Sequence, residues 1–291
     1  MKFIAKKTID VVLRCPRLFL FKGETFLIGS EKINSSDDNT ILQYWSCIYK
    51  LDNNFDILPD FKYKINIPLP FVNIEDTSIS CWTRDVNVKN DKVFFNVELK
   101  KNIGNQSFKH DNYLFCTDNF IDYVNAKSYT DFDNYFLFKD ITINEKELLF
   151  LSYMSADEEF PNFCWGKYLF EIRINNEIIR PQFDNCVNYS LDKGHVLHGL
   201  LNLDNNEYLF FFTIRHLINN APEFIYKMYS AKTKDFTNFY ETKEVSCIND
   251  VNDAQWYSYP SLFLQDNNFY AVTNQDEFGK NKKIMLFAVE L

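Results

Sequence analysis

Five times in 291 residues the chain repeats one short pattern: a strand-like run, a polar turn, then a second apolar or aromatic run. The copies are CPRLFLFKGETFLIGS from Cys15, RDVNVKNDKVFFNVEL from Arg84, KDITINEKELLFLSYM from Lys139, HGLLNLDNNEYLFFFT from His198 and YPSLFLQDNNFYAVTN from Tyr259. Each reads as a β-hairpin. With Pro16, Asp85, Asp140, Gly199 and Pro260 taken as equivalent, successive gaps are 69, 55, 59 and 61 residues. Ten positions on stand Phe26, Phe95, Phe150 and Tyr270, with Leu209 beside Tyr208 in the fourth copy. Such spacing is what similar sheets set around an axis require.

Strand candidates follow the hairpins, among them 43–57, 168–180 and 224–241, and supply the outer two strands of a four-stranded blade. The last copy has only KKIMLFAVEL after its hairpin, one strand short, while MKFIAKKTI at the start is an unassigned strand. The expected fold is therefore all-β: a five-bladed propeller over residues 1–291, its ring closed by the N-terminal strand pairing with the last blade. Blades are expected to start near 14, 82, 137, 195 and 257. A two-sheet sandwich also accommodates many short strands, but does not call for five equivalent hairpins. With 7 Gly and 8 Pro and no Gly/Ser-rich or Pro-rich stretch, no domain linker is visible. Few windows show sustained helical spacing of apolar residues.

A formal net charge of −9 argues against nucleic acid as a partner, since that affinity is built from clustered Lys and Arg. No stretch approaches the ~20 apolar residues of a membrane span, and the apolar run after the first lysines is too short for a signal-peptide core. Seven cysteines, odd in number and without a Cys-x-x-Cys pair, indicate neither a disulfide framework nor a zinc knuckle. A cytoplasmic location is expected. The 30 Phe and 17 Tyr suit stacked sheets and sugar-binding platforms, and equally the codon bias of an AT-rich genome.

The segments CPRLFLFKGETFLIGS, CWTRDVNVKNDKVFFNVE (81–98), YSAKTKDFTNFYE (229–241) and YSYPSLFLQDNNFYAVTNQDEFG (257–279) resemble the five-bladed propeller glycosidases. These are the arabinanase, xylosidase and β-fructosidase superfamily, with its phosphorylase relatives. The resemblance spans nearly the whole chain and is diffuse. It implies reacting carboxylates at the starts of the innermost strands, where the matching residues are Cys15, Asp85, Asp140 and His198. The family's first-blade Asp-Pro is Cys15-Pro16 here, and its fourth-blade Glu-Gly is His198-Gly199. Both departures fall on the base and acid that the resemblance implies.

Glycoside cleavage uses two carboxyl groups across the scissile bond. Asp85 and Asp140 are the candidate pair, the resemblance assigning Asp140 the tuning of the acid; each could instead cap a turn or pair with Arg84 or Lys139. Carboxyl oxygens within about 10 Å in an open pocket would suit hydrolysis, whereas salt bridges burying both would remove the pair from the reaction. His198 is a candidate proton donor in place of glutamate, an imidazole being easily tuned across neutrality, or a structural histidine. His195, His198 and His216 lack a recognised metal-ligand spacing, and neither metal nor cofactor is expected. Cys15 is either a small buried residue or a nucleophile tuned by Arg14 and Arg17. Arg17, Arg84 and Lys139, with Trp82, His195, Trp256 and Tyr259, are the candidate substrate-binding set, since aromatic faces stack on sugars and cations grip carboxylate or phosphate. The expectation is a carbohydrate-active protein working on a charged sugar or sugar phosphate in intracellular glycan metabolism, as a glycoside hydrolase or glycosyl-transferring enzyme if catalytic. The alternatives are a non-catalytic sugar-binding or assembly propeller that has lost the family's carboxylates, and a protein-interaction propeller.

Overall fold

A computed structural model describes residues 1–33, 43–76, 78–104, 107–129, 135–155, 167–175, 177–184, 195–203, 206–217, 224–248, 256–277 and 280–290; on several strands, including 195–198, 213–217 and 256–260, the backbone alone is described. Strand β1 (Lys2–Ile9) precedes the first sheet, β2 (Arg14–Phe21), β3 (Glu24–Lys32), β4 (Tyr44–Leu51) and β5 (Ile57–Lys64). The second sheet is β6 (Ile79–Lys89), β7 (Lys92–Gly104), β8 (Ser107–Thr117) and β9 (Val124–Tyr129). The third is β10 (Tyr135–Ile143), β11 (Lys146–Ser155), β12 (Lys167–Ile174) and β13 (Glu177–Ile179). The fourth joins β14 (Gln182–Phe183), β15 (His195–Asn202), β16 (Tyr208–Leu217), β17 (Phe224–Thr233) and β18 (Asn238–Glu244) in the order β14-β18-β17-β16-β15. The fifth joins β19 (Ser246–Ile248), β20 (Trp256–Gln265), β21 (Asn268–Glu277) and β22 (Lys280–Glu290) with β1, in the order β19-β1-β22-β21-β20.

The chain is thus a five-bladed β-propeller. β1 lies antiparallel to β22, with Phe3 opposite Val289 and Ile9 opposite Ile284, so the N-terminal strand closes the ring as expected. Two short parallel strands add to that lock: β14 leaves the third blade to edge the fourth, and β19 leaves the fourth to edge the fifth.

Type I′ geometry makes the hairpins. Both turn residues have positive φ at Lys22–Gly23, Asn90–Asp91, Asn144–Glu145 and Asp266–Asn267, the backbone twist that a two-residue hairpin needs and that Gly, Asn and Asp tolerate. A second repeated corner joins the third and fourth strands of blades 1, 2 and 4, where Phe55, Phe120 and Phe236 all take φ near 61° yet are buried. Positive φ is strained for a bulky residue. The Thr117 and Thr233 hydroxyls hold two of these corners by accepting the Phe120 and Phe236 N–H. Each ring then packs on the preceding blade: Phe55 on Tyr270, Phe120 on Phe19, Phe21 and Phe26, Phe236 on Phe150.

Apolar side chains fill all five seams. One buried cluster joins blades 1 and 2, others join 2 to 3, 3 to 4, 4 to 5, and 5 back to 1. A fully buried Phe contributes about 1.5–3 kcal/mol by its removal from water, so the aromatic-rich seams supply much of the drive to close the ring. No helix among the described residues is long and apolar enough to cross a membrane.

Candidate functional site

All five innermost strands bulge at one level. The ladder slips between Arg14 and Arg17, Thr83 and Asp85, Leu137 and Lys139, Leu197 and Gly199, and Ser258 and Ser261. The residue after each bulge is Arg17, Asp85, Lys139, Gly199 or Ser261, and these five line one cavity on the axis with Leu18, Val86, Leu200 and Leu262. A bulge adds a residue and turns the following side chains to the other face. The equivalent of Asp85 is therefore Lys139 and not Asp140, and in blades 1 and 5 the structural equivalents are Arg17 and Ser261, one beyond the Pro16 and Pro260 used to align the sequence. At the fourth position a Cβ on Gly199 would lie 3.3 Å from Leu262 Cδ1, so that blade shows bare backbone to the axis.

The cavity measures about 60 Å³. Small-molecule pockets measure roughly 300–1,000 Å³, so this space suits ordered water and is too small for a ring-sized ligand. Asp85 faces Lys139 across it, Nζ to Oδ2 3.0 Å. Arg17 is 3% exposed and donates through Nε to the Arg84 carbonyl at 3.1 Å and through Nη1 to the Pro16 carbonyl at 2.9 Å. Blades 1, 2 and 3 are thereby tied together at the axis.

Asp140 is held elsewhere. It accepts from the Tyr129 hydroxyl and lies 3.4 Å from Lys127 Nζ, which also pairs with Glu147. Burial pushes the Tyr129 phenol up and the bond to Asp140 adds to it; Lys127 is raised despite burial because Glu147 and Asp140 flank it. The two aspartates do not form an open pair. Their side chains are 16% and 13% exposed, each in its own salt bridge.

Arg84 heads a network that the sequence did not single out. Its Nε donates to Glu98 Oε2 at 2.5 Å, a second guanidinium nitrogen reaches the same carboxylate, and Nη1 lies 3.6 Å from Cys15 Sγ. His110 Nδ1 donates to Glu98 Oε1 at 2.5 Å. Burial alone would raise the Glu98 carboxyl; Arg84 and His110 outweigh it and bring it down to about 2. Cys15 is buried with φ 52°, its N–H given to Asn274 Oδ1 of the fifth blade, whose amide in turn donates to the Leu13 carbonyl.

Trp82 contacts Tyr44, ring centroids 4.7 Å apart and planes tilted by 37°, and the Arg84 guanidinium lies 5.4 Å from the Trp82 ring. Arg14 covers the Tyr44 ring from 4.4 Å. The four side chains form a ladder of cation, two aromatics and cation across the start of the blade 1 to blade 2 seam. The backbones of His195 and His198 lie on β15, those of Trp256 and Tyr259 on β20, with His198 and Tyr259 within the bulges; their side chains lie outside the described part.

No family model matches the sequence, and no curated protein matches it. Solved structures do. A mannose phosphorylase from Leishmania mexicana in complex with phosphate ion is similar over 99% of this chain and 87% of its own, TM-score 0.62 at 10% identity. An exo-1,5-α-L-arabinanase from a bovine ruminal metagenomic library matches over 98% and 97%, TM-score 0.59 at 8% identity. This chain has their fold. A xylan β-1,4-xylosidase from Bacillus halodurans C-125 adds a third, TM-score 0.59 at 10% identity, covering 99% of this chain and 54% of its own. The likeness to propeller glycosidases and phosphorylases inferred from the quoted segments thus extends to the whole fold.

Proposed function

We propose that the chain is a carbohydrate-active propeller that takes a charged sugar or sugar phosphate at the end where its inner strands begin, and acts on a glycosidic or related bond. The observation that carries this reading is the set of cations on neighbouring inner strands, Arg17 and Lys139 lining the axial cavity with Arg14 and Arg84 beside it on β2 and β6, in a fold shared with an arabinanase, a xylosidase and a phosphate-bound mannose phosphorylase. Cations in such a place recognise carboxylate or phosphate.

The chemistry follows from the carboxylates. Hydrolysis needs an acid and a base or nucleophile, whereas a transfer in which inorganic phosphate attacks carbon needs one proton donor and a cationic cradle. Asp85 is the carboxylate among the described residues that line the axial cavity, and its salt bridge to Lys139 suits a charge-stabilising or orienting role. His198, in the fourth-blade bulge, is proposed as the proton donor. The buried thiols of Cys15, Cys47, Cys81 and Cys116 are free and support a reducing, cytoplasmic setting for intracellular glycan metabolism. A second reading, a sugar-binding propeller without turnover, draws its support from the salt bridges that hold both Asp85 and Asp140.

A thermal-shift panel of neutral sugars, uronic and sialic acids, sugar phosphates and nucleotide sugars tests the proposal, because a ligand of the folded state raises the unfolding temperature by mass action. Stabilisation by anionic sugars is expected. A flat response across the panel would leave a protein-interaction propeller.

A further inference from the structure

The cations at the strand-start end are not equivalent. Arg84 is neutralised by the buried Glu98 carboxylate, and Lys139 by Asp85. Arg17 is buried and committed to two backbone carbonyls. Arg14, the first residue of β2, differs from all three: among the described residues its guanidinium has no hydrogen bond and no ion pair, only the Tyr44 face at 4.4 Å. It remains partly exposed.

Stacking engages the flat face of a guanidinium and leaves its in-plane N–H groups pointing outward, in the fork that matches a carboxylate or phosphate. Behind Tyr44 the ladder continues through Trp82 to Arg84, whose position is set by Glu98 and, through it, His110. The ring under Arg14 is thus packed on Trp82, which in turn lies against an Arg84 held by Glu98. Trp82 packs on Tyr44 and carries the Arg84 guanidinium 5.4 Å from its ring, so within the ladder this indole supports a cation.

We propose that Arg14 is the residue that binds the anionic group, carboxylate or phosphate, of the ligand, and that the Tyr44–Trp82–Arg84 ladder anchored on Glu98 is its positioning device. This rests on the reading of a charged sugar at that end of the propeller. It makes Arg14, and not the neutralised Arg84 or Lys139, the determinant of preference for an anionic over a neutral ligand.

Calorimetric titration of inorganic phosphate and of glucuronate, at fixed ionic strength, tests it on the intact chain. Arg14→Gln is expected to weaken the binding of whichever anion the unaltered protein takes by about tenfold or more, the worth of a charge-assisted hydrogen bond. Arg14→Lys keeps the charge without the fork and should fall between. Lys62→Gln, which removes an exposed cation on β5, should leave the affinity unchanged, and matching thermal midpoints for all variants would exclude misfolding. Unchanged anion affinity in Arg14→Gln overturns the inference, as does failure of the unaltered protein to bind either anion. If the sugar panel nevertheless yields a neutral ligand, the sugar-binding propeller stands and the role of Arg14 alone falls.

Discussion

The second sheet turns opposite chemistries to its two neighbours. Toward blade 1, β7 contributes Val93, Phe95, Val97 and Leu99 to a cluster that has seventeen buried members in all. Its alternate positions include Asn96 and Glu98, joined across the ladder by His110 and Asn112 of β8, and Asn112 accepts the Leu137 N–H of blade 3. The described apolar cluster at that seam has four buried members, Tyr129, Leu137, Leu149 and Leu151. Strands covered on both faces usually read as continuous apolar runs; here both faces are covered and one is polar. The apolar seam is held by area and shape, and tolerates small changes. The polar seam is held by partners, so it loses stability when a single partner goes.

The largest expected effect is on the apolar side. Phe95→Ala removes a fully buried ring that meets Phe19 edge-on and packs on Tyr123, and should lower unfolding free energy by about 4 kcal/mol in urea denaturation. A loss under about 1 kcal/mol would mean that the seam closes without it. On the polar side Glu98→Gln leaves the Arg84 charge buried without its counter-ion and should cost about 3 kcal/mol. The double variant Arg84→Met/Glu98→Gln should recover part of that cost, since replacing both partners avoids the stranded charge. If the double variant is no better than the single, the pair is not the unit of stability.

The same carboxylate sets a pH dependence. Its folded pKa is depressed from 4.5 to about 2, so its contribution is present above about pH 4.5 and is lost as pH falls toward 2. Stability measured between pH 5 and pH 2 should fall more steeply in the unaltered protein than in Glu98→Gln; parallel curves would contradict the assignment. Lys139→Met, which removes the Asp85 partner at the axis, should cost about 1–2 kcal/mol. Tyr129→Phe, which deletes one donor to Asp140, should cost about 1 kcal/mol. A Tyr129→Phe loss exceeding that of Lys139→Met would move the weight of the polar seam from the axis to its outer part.

Much of this architecture was legible in the chain. Lys22-Gly23, Asn90-Asp91 and Asp266-Asn267 are residues that suit a type I′ turn, and the hairpin repeat gave the blade number. The missing strand of the last blade pointed to β1. Register at the axis was less accessible, because a bulge inserts a residue without any necessary change in composition. Asp140 follows Lys139 directly, and only the slip between Leu137 and Lys139 decides which of the two faces the axis. Glu98 and His110 are hidden in the sequence for another reason. In FFNVEL the alternation of apolar and polar residues is what a strand with one wet face would show, and nothing local reveals that a third blade covers Asn96 and Glu98. The Arg14 ladder brings together residues 14, 44, 82 and 84 from two blades, so no spacing along the chain announces it.

The proposed activity is work on a bond of a charged sugar. Proton NMR of the anomeric region reads this most directly, with the unaltered protein incubated with the oligosaccharide form of the stabilising sugar in phosphate and in phosphate-free buffer. Loss of the substrate anomeric signal is expected, fastest with phosphate present and abolished in His198→Gln. A ligand that binds and keeps its anomeric signal unchanged through a day at high protein concentration would contradict it, and leave a propeller that holds its sugar without cutting it.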